Sequence, residues 1–230
     1  MIDLRPFEGL GAFENDWLKA RHHFSFGGYH DPARMGWGQL LVWNDDTVAP
    51  GKGFDPHPHR EMEIITFIRE GAITHRDSLG NEGRTEAGDV QVMHAGTGIV
   101  HAEYNLEAVP TRLFQIWIRP DQARATPGWA TRRFPRGGIA TLADGRARRD
   151  ASALPLNADA SVATGVLDVG KSFVMTPGKG RAVYLVPSRG EVSVNGVAVP
   201  ERAGVAIRDE GSLDIRALSP AELVIVDVRG

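Results

Sequence analysis

The chain has 230 residues, 42% hydrophobic and 24% charged, enough to bury one large all-β domain or two barrels of ordinary size. A net charge of −3 gives no general attraction for nucleic acid, and no run of about 18 apolar residues is present to span a membrane as a helix. Cysteine is absent, which excludes disulfides, thiolate metal sites and cysteine nucleophiles together, so any metal must sit among nitrogen and oxygen ligands. The opening Met1-Ile2-Asp3-Leu4-Arg5-Pro6 lacks an apolar signal region, which sets a cytoplasmic expectation.

Twenty-seven glycines and fourteen prolines punctuate short apolar runs, the pattern of many strands joined by turns. Residues 1–20 are expected to supply an opening strand or short helix. The alternating aromatics of residues 22–29 predict a strand stopping at Gly27 and Gly28, and residues 39–44 predict a strand closed by a turn at Asn44-Asp45-Asp46. A β-branched run over 64–68 ends at Gly71. Ile73-Thr74-His75-Arg76-Asp77 then alternates and stops at Ser78-Leu79-Gly80-Asn81, a hairpin signal. Gly88-Asp89 leads into Val90-Gln91-Val92-Met93; residues 99–104 follow the glycines at 96 and 98, and residues 113–118 make one more strand before Arg119-Pro120.

Residues 121–150 change character, with Pro127, Pro135, Gly137, Gly138 and a basic run from Arg146 to Arg149. The expected division is a barrel over 1–125, a connector over 126–150 with solvated arginines, and a second barrel over 151–230. A faint internal repeat supports two similar antiparallel barrels. Pro50-Gly51-Lys52-Gly53 recurs as Pro177-Gly178-Lys179-Gly180, and Ala87-Gly88-Asp89-Val90 is matched by Ala203-Gly204-Val205-Ala206. The apolar run before Gly71 corresponds to residues 182–186 before Gly190, and residues 113–117 to 223–227. All eight histidines precede residue 102, so the chemistry belongs to the first half.

Two pairs of metal-competent side chains stand out there: His57-Pro58-His59 and His101-Ala102-Glu103. Alternate residues of a strand face the same side, with side chains roughly 7 Å apart. Two facing strands could therefore aim four ligands at one point. Three imidazoles and one carboxylate suit divalent Fe, Mn, Ni, Cu or Zn and would leave two octahedral positions open. Pro56 and Pro58 stiffen the first pair and imply an edge strand or a bulge. Glu61 and Glu63 are further acidic candidates, with Glu63 expected to orient an imidazole rather than to ligate. His22 and His23 read as packing residues, His75 as solvent-facing and His94 as a turn residue. Phe54, Met93 and Phe114 read as core that could also wall a pocket. No Gly-x-Gly-x-x-Gly fingerprint and no arranged Ser/His/Asp triad is present.

Gly51-(x)5-His57-x-His59-(x)3-Glu63-(x)7-Gly71 resembles the first cupin motif with one extra residue, and Gly88-(x)7-Gly96-x-Gly98-(x)2-His101-(x)3-Asn105 resembles the second, with His94 where proline is usual. More narrowly, residues 21–27, His57-Pro58-His59-Arg60, residues 88–93 and residues 98–103 resemble pirin, closely over 20–120 and more loosely beyond. The resemblance implies an all-β bicupin of two antiparallel jelly-roll barrels, with one mononuclear metal held by His57, His59, His101 and Glu103. That metal would be Fe(II) first, with Mn, Ni, Cu, Co or Zn as alternatives. It also implies an activity like that of quercetin 2,3-dioxygenase, which opens a flavonol ring with dioxygen and releases carbon monoxide. Glu103 is then the candidate base and Glu63 a candidate behind the ligands. The partners expected are a flavonol-like aromatic substrate and dioxygen, without nucleic acid or membrane. The rivals are a non-enzymatic iron-binding redox sensor acting on a protein partner, and a cupin isomerase or hydrolase using the metal as a Lewis acid.

Overall fold

The computed structural model describes residues 1–135, 137–146, 150 and 152–230. Among them the regular structure is β, apart from two short 3-10 turns at Phe7–Gly9 and Pro32–Arg34. The first half contains β1 (Ile2–Arg5), β2 (Gly11–Glu14), β3 (Leu18–His22), β4 (Leu40–Val48), β5 (Lys52–His59) and β6 (Glu63–Glu70). It continues with β7 (Ala72–Asp77), β8 (Glu82–Glu86), β9 (Asp89–His94), β10 (Ile99–Asn105) and β11 (Thr111–Ile118). The stretch between the halves adds β12 (Gly128–Arg133) and β13 (Gly138–Asp144). The second half supplies β14 (Leu154–Pro155), β15 (Ala160–Leu167), β16 (Ser172–Met175), β17 (Arg181–Arg189) and β18 (Val192–Val194). It closes with β19 (Val197–Val199), β20 (Gly204–Arg208), β21 (Leu213–Ala217) and β22 (Ala221–Arg229).

Each half is a two-sheet barrel. In the first, the seven-stranded sheet β12-β9-β6-β11-β4-β3-β2 is joined across the barrel to the four-stranded sheet β5-β10-β7-β8, as when Glu103 on β10 bonds Gln115 on β11. In the second, β1-β20-β17-β22-β15-β13-β14 shares an apolar interior with β16-β21-β18-β19. The two sheet orders match place by place, which is the duplication read from the sequence. The large sheets pack against each other through Trp43, Ile65, Phe67, Phe114 and Ile116 on one side and Val162, Tyr184, Val186, Val224 and Val226 on the other. Each fully buried large apolar side chain there contributes about 1.5–3 kcal/mol, so this seam is the dominant core of the molecule.

Several local expectations are corrected. The strand predicted over 22–29 ends at His22. Gly27 adopts a left-handed φ of 56°, and Phe26 and Tyr29 close a tight turn by exchanging backbone hydrogen bonds of 3.0 Å. No turn forms at Asn44-Asp45-Asp46; β4 runs through all three, each of them buried. Their polarity marks interior partners instead of a surface: Asn44 Oδ1 accepts from His22 Nδ1 at 2.8 Å, and Asp45 accepts from Arg69 and from Arg202. The repeat of Pro-Gly-Lys-Gly is out of register. The first copy runs into the start of β5, whereas the second follows β16, the strand that holds the place of β5. Such a tetrapeptide reports a turn type and not a place in the topology.

The 126–150 stretch contributes a strand to each large sheet, β12 pairing with β9 and β13 with β15. Conversely β1, at the start of the chain, pairs with β20 of the second barrel, Ile2 opposite Ile207. The Arg146 guanidinium bonds the Asp144 carboxylate at 2.9 Å; the rest of the basic run, residues 147–149, lies outside the described residues.

Candidate metal centre

β5 lies at the edge of its sheet and pairs only with β10, so the missing N–H groups of Pro56 and Pro58 interrupt no second ladder. In that pairing His57 stands opposite His101 and His59 opposite Ile99. The register then shifts between His101 and Glu103, so that Phe54 faces Glu103. The two proline-bound positions and the bulge thus stack three imidazoles at one end of the strand pair.

Their ring centroids lie 4.8 Å apart for His57 and His59, 4.5 Å for His57 and His101, and 5.0 Å for His59 and His101. One nitrogen from each lies within 4.8 Å of the other two. His57 Nδ1 donates to the Asp55 carbonyl at 2.7 Å, which fixes the proton there and leaves Nε2 with a lone pair. His101 is 3% exposed, and its Nε2 is buried without any hydrogen-bond partner. A buried unsatisfied nitrogen costs about 1–3 kcal/mol, and a cation placed among the three rings removes that cost. The donor set therefore fits a divalent ion. Burial, then the neighbouring His57, pulls the His59 imidazole down to about 4. Burial, then His57, His59 and His75, pulls His101 down to about 2. Both are neutral near pH 7, the state in which imidazole binds metal.

Glu103 is 2% exposed, and its carboxylate is held from three sides. Gln115 Nε2 donates to one oxygen at 2.8 Å; Gln91 Nε2 and, at 3.4 Å, Thr66 Oγ1 donate to the other. Burial still pushes Glu103 up to about 7 against the pull of Gln115, Gln91 and Thr66. It belongs to a second trio, with His75 and His101, whose ligand atoms also lie within 4.8 Å of one another. His101 is common to both trios.

Glu63 is buried elsewhere. It accepts from His94 Nδ1 at 2.6 Å and from the Asn157 amide at 2.9 Å, so the imidazole it orients is that of His94, at the junction with the second half. Glu61 accepts from the Arg124 backbone at 3.0 Å. His22 and His23 are packing residues, bonded to Asn44 and Tyr184. Phe54 approaches His57, with centroids 6.5 Å apart, whereas Met93 and Phe114 are fully buried in the core.

The solvent-facing expectation for His75 is wrong. The ring is fully buried, lies flat on Trp129 at 4.9 Å, and bonds Asp77 at 3.0 Å. Alternation alone could not show which face of the hairpin turns inward. Trp117 lies edge-on to His59 at 4.9 Å, a neighbour that strand alternation alone does not mark. Gln91 and Gln115 carried a usable signal, a lone amide in the middle of an apolar strand. A cleft of about 670 Å³ between the barrels holds Arg21, Arg69, Arg112 and Arg202 but none of these histidines; the donor geometry, and not cavity size, locates the site.

Two stacked jelly-roll barrels with imidazoles converging in one of them define a bicupin with a candidate metal centre in its first barrel. Comparison with known proteins sharpens this. The Pirin family model matches residues 5–118, and a model described as the quercetinase C-terminal cupin domain matches residues 145–228. A pirin-like protein of Caulobacter vibrioides is 54% identical, covering 99% of each chain. The quercetin 2,3-dioxygenase of Escherichia coli is 38% identical, again over 99% of each. The crystal structure of the bacterial pirin YhhW of Escherichia coli in complex with nickel(II) superposes with a TM-score of 0.95 at 37% identity, covering 100% of this chain and 99% of that one. The chain belongs to the pirin family. No helix among its described residues is long and apolar enough to cross a membrane.

Proposed function

We propose that this chain is a metal-dependent dioxygenase acting on a flavonol such as quercetin, with the metal, Fe(II) first among the candidates, held by His57, His59, His101 and Glu103. The observation that carries the reading is the convergence of three imidazoles on one point, with His101 Nε2 buried and unpaired. When bound, the metal supplies a Lewis acid that acidifies a flavonol hydroxyl. Glu103, loosened from the metal, would accept the released proton at a carboxylate oxygen that Gln115, Gln91 and Thr66 hold in place. Trp117 beside His59 and Phe54 beside His57 are the aromatic neighbours that a flat substrate at the histidines would meet. The relative named quercetin 2,3-dioxygenase, alike over nearly its whole length, supports the same substrate class.

The test is aerobic incubation of purified, metal-loaded protein with quercetin, following the visible absorbance. Loss of the flavonol band is the expected result. No loss with iron, manganese, nickel, copper or cobalt would end the dioxygenase reading and turn attention to an iron-dependent partner protein.

A further inference from the structure

His101 has two ring nitrogens, and only one of them can meet a cation at the three-imidazole centre. Its Nε2 is the unpaired atom, while its Nδ1 lies 3.4 Å from Nδ1 of His75. Two neutral imidazoles bond through these atoms only when one Nδ1 carries a proton and the other a lone pair. The rest of the chain decides which. His75 Nε2 lies 3.0 Å from Asp77 Oδ2. Asp77 also accepts from the amides of Leu79 and Asn81, at 2.9 and 3.1 Å, and from the Asn81 side chain. A carboxylate facing that many donors acts as acceptor only, so the His75 proton sits on Nε2. His75 Nδ1 is then a bare lone pair, the proton of His101 must sit on Nδ1, and His101 Nε2 is left free.

We infer that Asp77 and His75 form a positioning chain behind the metal centre, fixing the tautomer and ring angle of His101 so that its Nε2 is aimed at the ion. The inference rests on the metal-centre reading above and adds residues which that reading does not use. A second feature supports it. Trp129, on β12, lies flat against His75 with an interplanar angle of 8°, and its Nε1 donates to Gln91 Oε1 at 3.3 Å. Gln91 in turn donates to Glu103. One indole from the stretch between the barrels therefore steadies the imidazole behind His101 and the amide on Glu103 together.

The experiment titrates nickel into the metal-free wild type, His75→Phe and His75→Gln, and records thermal midpoints without metal. Phenylalanine keeps the ring on Trp129 but removes the acceptor; glutamine restores an acceptor oxygen. His75→Phe is expected to weaken nickel binding about 10–100-fold, with His75→Gln recovering part of the loss although both unloaded variants melt alike. Equal affinity of His75→Phe and wild type, or identical losses in both variants, would overturn the inference while leaving the metal centre standing. Failure of wild type to bind nickel would remove the centre and this chain with it. A measurement that needs no variant is the long-range proton–nitrogen NMR spectrum of zinc-loaded wild type. His75 protonated on Nε2 and His101 on Nδ1 is the expected pattern, and a His75 proton on Nδ1 refutes it.

Discussion

The two barrels share one strand order and fill it with opposite material. In the second, Val183, Leu185, Val194, Val205, Ile215 and Leu223 form a continuous apolar interior. In the first, apolar residues are split into three small groups, around Ile64, Val48 and Ile68. Between those groups lie Asn44, Asp46, Thr66, His75, Gln91, Glu103 and Gln115, all buried. The inward positions of β21, which takes the place of β10, are Leu213, Ile215 and Ala217 where β10 carries His101 and Glu103. The scaffold thus tolerates either filling, provided that each buried polar group finds a partner. The second barrel's interior is apolar throughout, and the first holds the buried polar groups.

The division breaks most visibly at His101. His101→Ala should lower metal affinity at least about 10–100-fold, the range seen when even an outer partner of a ligand is removed, and should abolish quercetin turnover. Stoichiometric metal in that variant, measured by elemental analysis, would mean that the first barrel's histidines are not the centre. Next in size is Asp45, fully buried between Arg69 of the first barrel and Arg202 of the second. Asp45→Asn leaves the buried Arg69 charge uncompensated and should cost about 3–5 kcal/mol in urea unfolding. A change below 1 kcal/mol would show that the barrels do not lean on this cluster.

Glu103 sharpens the comparison through pH. With its carboxyl raised to about 7 by burial, the folded metal-free chain holds a proton that the unfolded chain has already lost above about 4.5. Its contribution is therefore fully present below about 4.5 and is lost as the pH rises through 7, by about 3 kcal/mol in all. His59 and His101, pulled low, act in the opposite direction below 6.5, so the readout is the difference between wild type and Glu103→Gln, in which the histidines cancel. A difference that does not vary between pH 4.5 and 7 would contradict the burial argument. The smallest effect belongs to the half-exposed pair Arg112 and Glu70, at the cleft between the barrels. Arg112→Ala should change stability by less than about 1 kcal/mol.

The fold class and duplication were legible because strand spacing, turn residues and the motifs around His57-Pro58-His59 and His101-Ala102-Glu103 are local patterns. Which apolar face meets which barrel is not local. His75 alternates along its hairpin as an exposed residue would, and only the arrival of Trp129 from β12 shows that its side is the inside. Asn44-Asp45-Asp46 has the composition of a turn because buried and exposed polar groups use the same letters; Arg69 and Arg202, far along the chain, make the difference. Glu63 sits four residues beyond His59 in sequence but serves His94 and Asn157 in space.

The placement of β1 has a consequence for how the chain is made. Its partner, β20, is synthesised about 200 residues later, so Ile2 emerges from the ribosome and waits for Ile207. At about 5–20 residues per second that delay is on the order of 10–40 s. The barrel with the histidines has all its strands once residue 133 has been made, while the second still lacks nearly all of its own. The nascent chain can therefore bring its clustered histidines together before β1 has found its place.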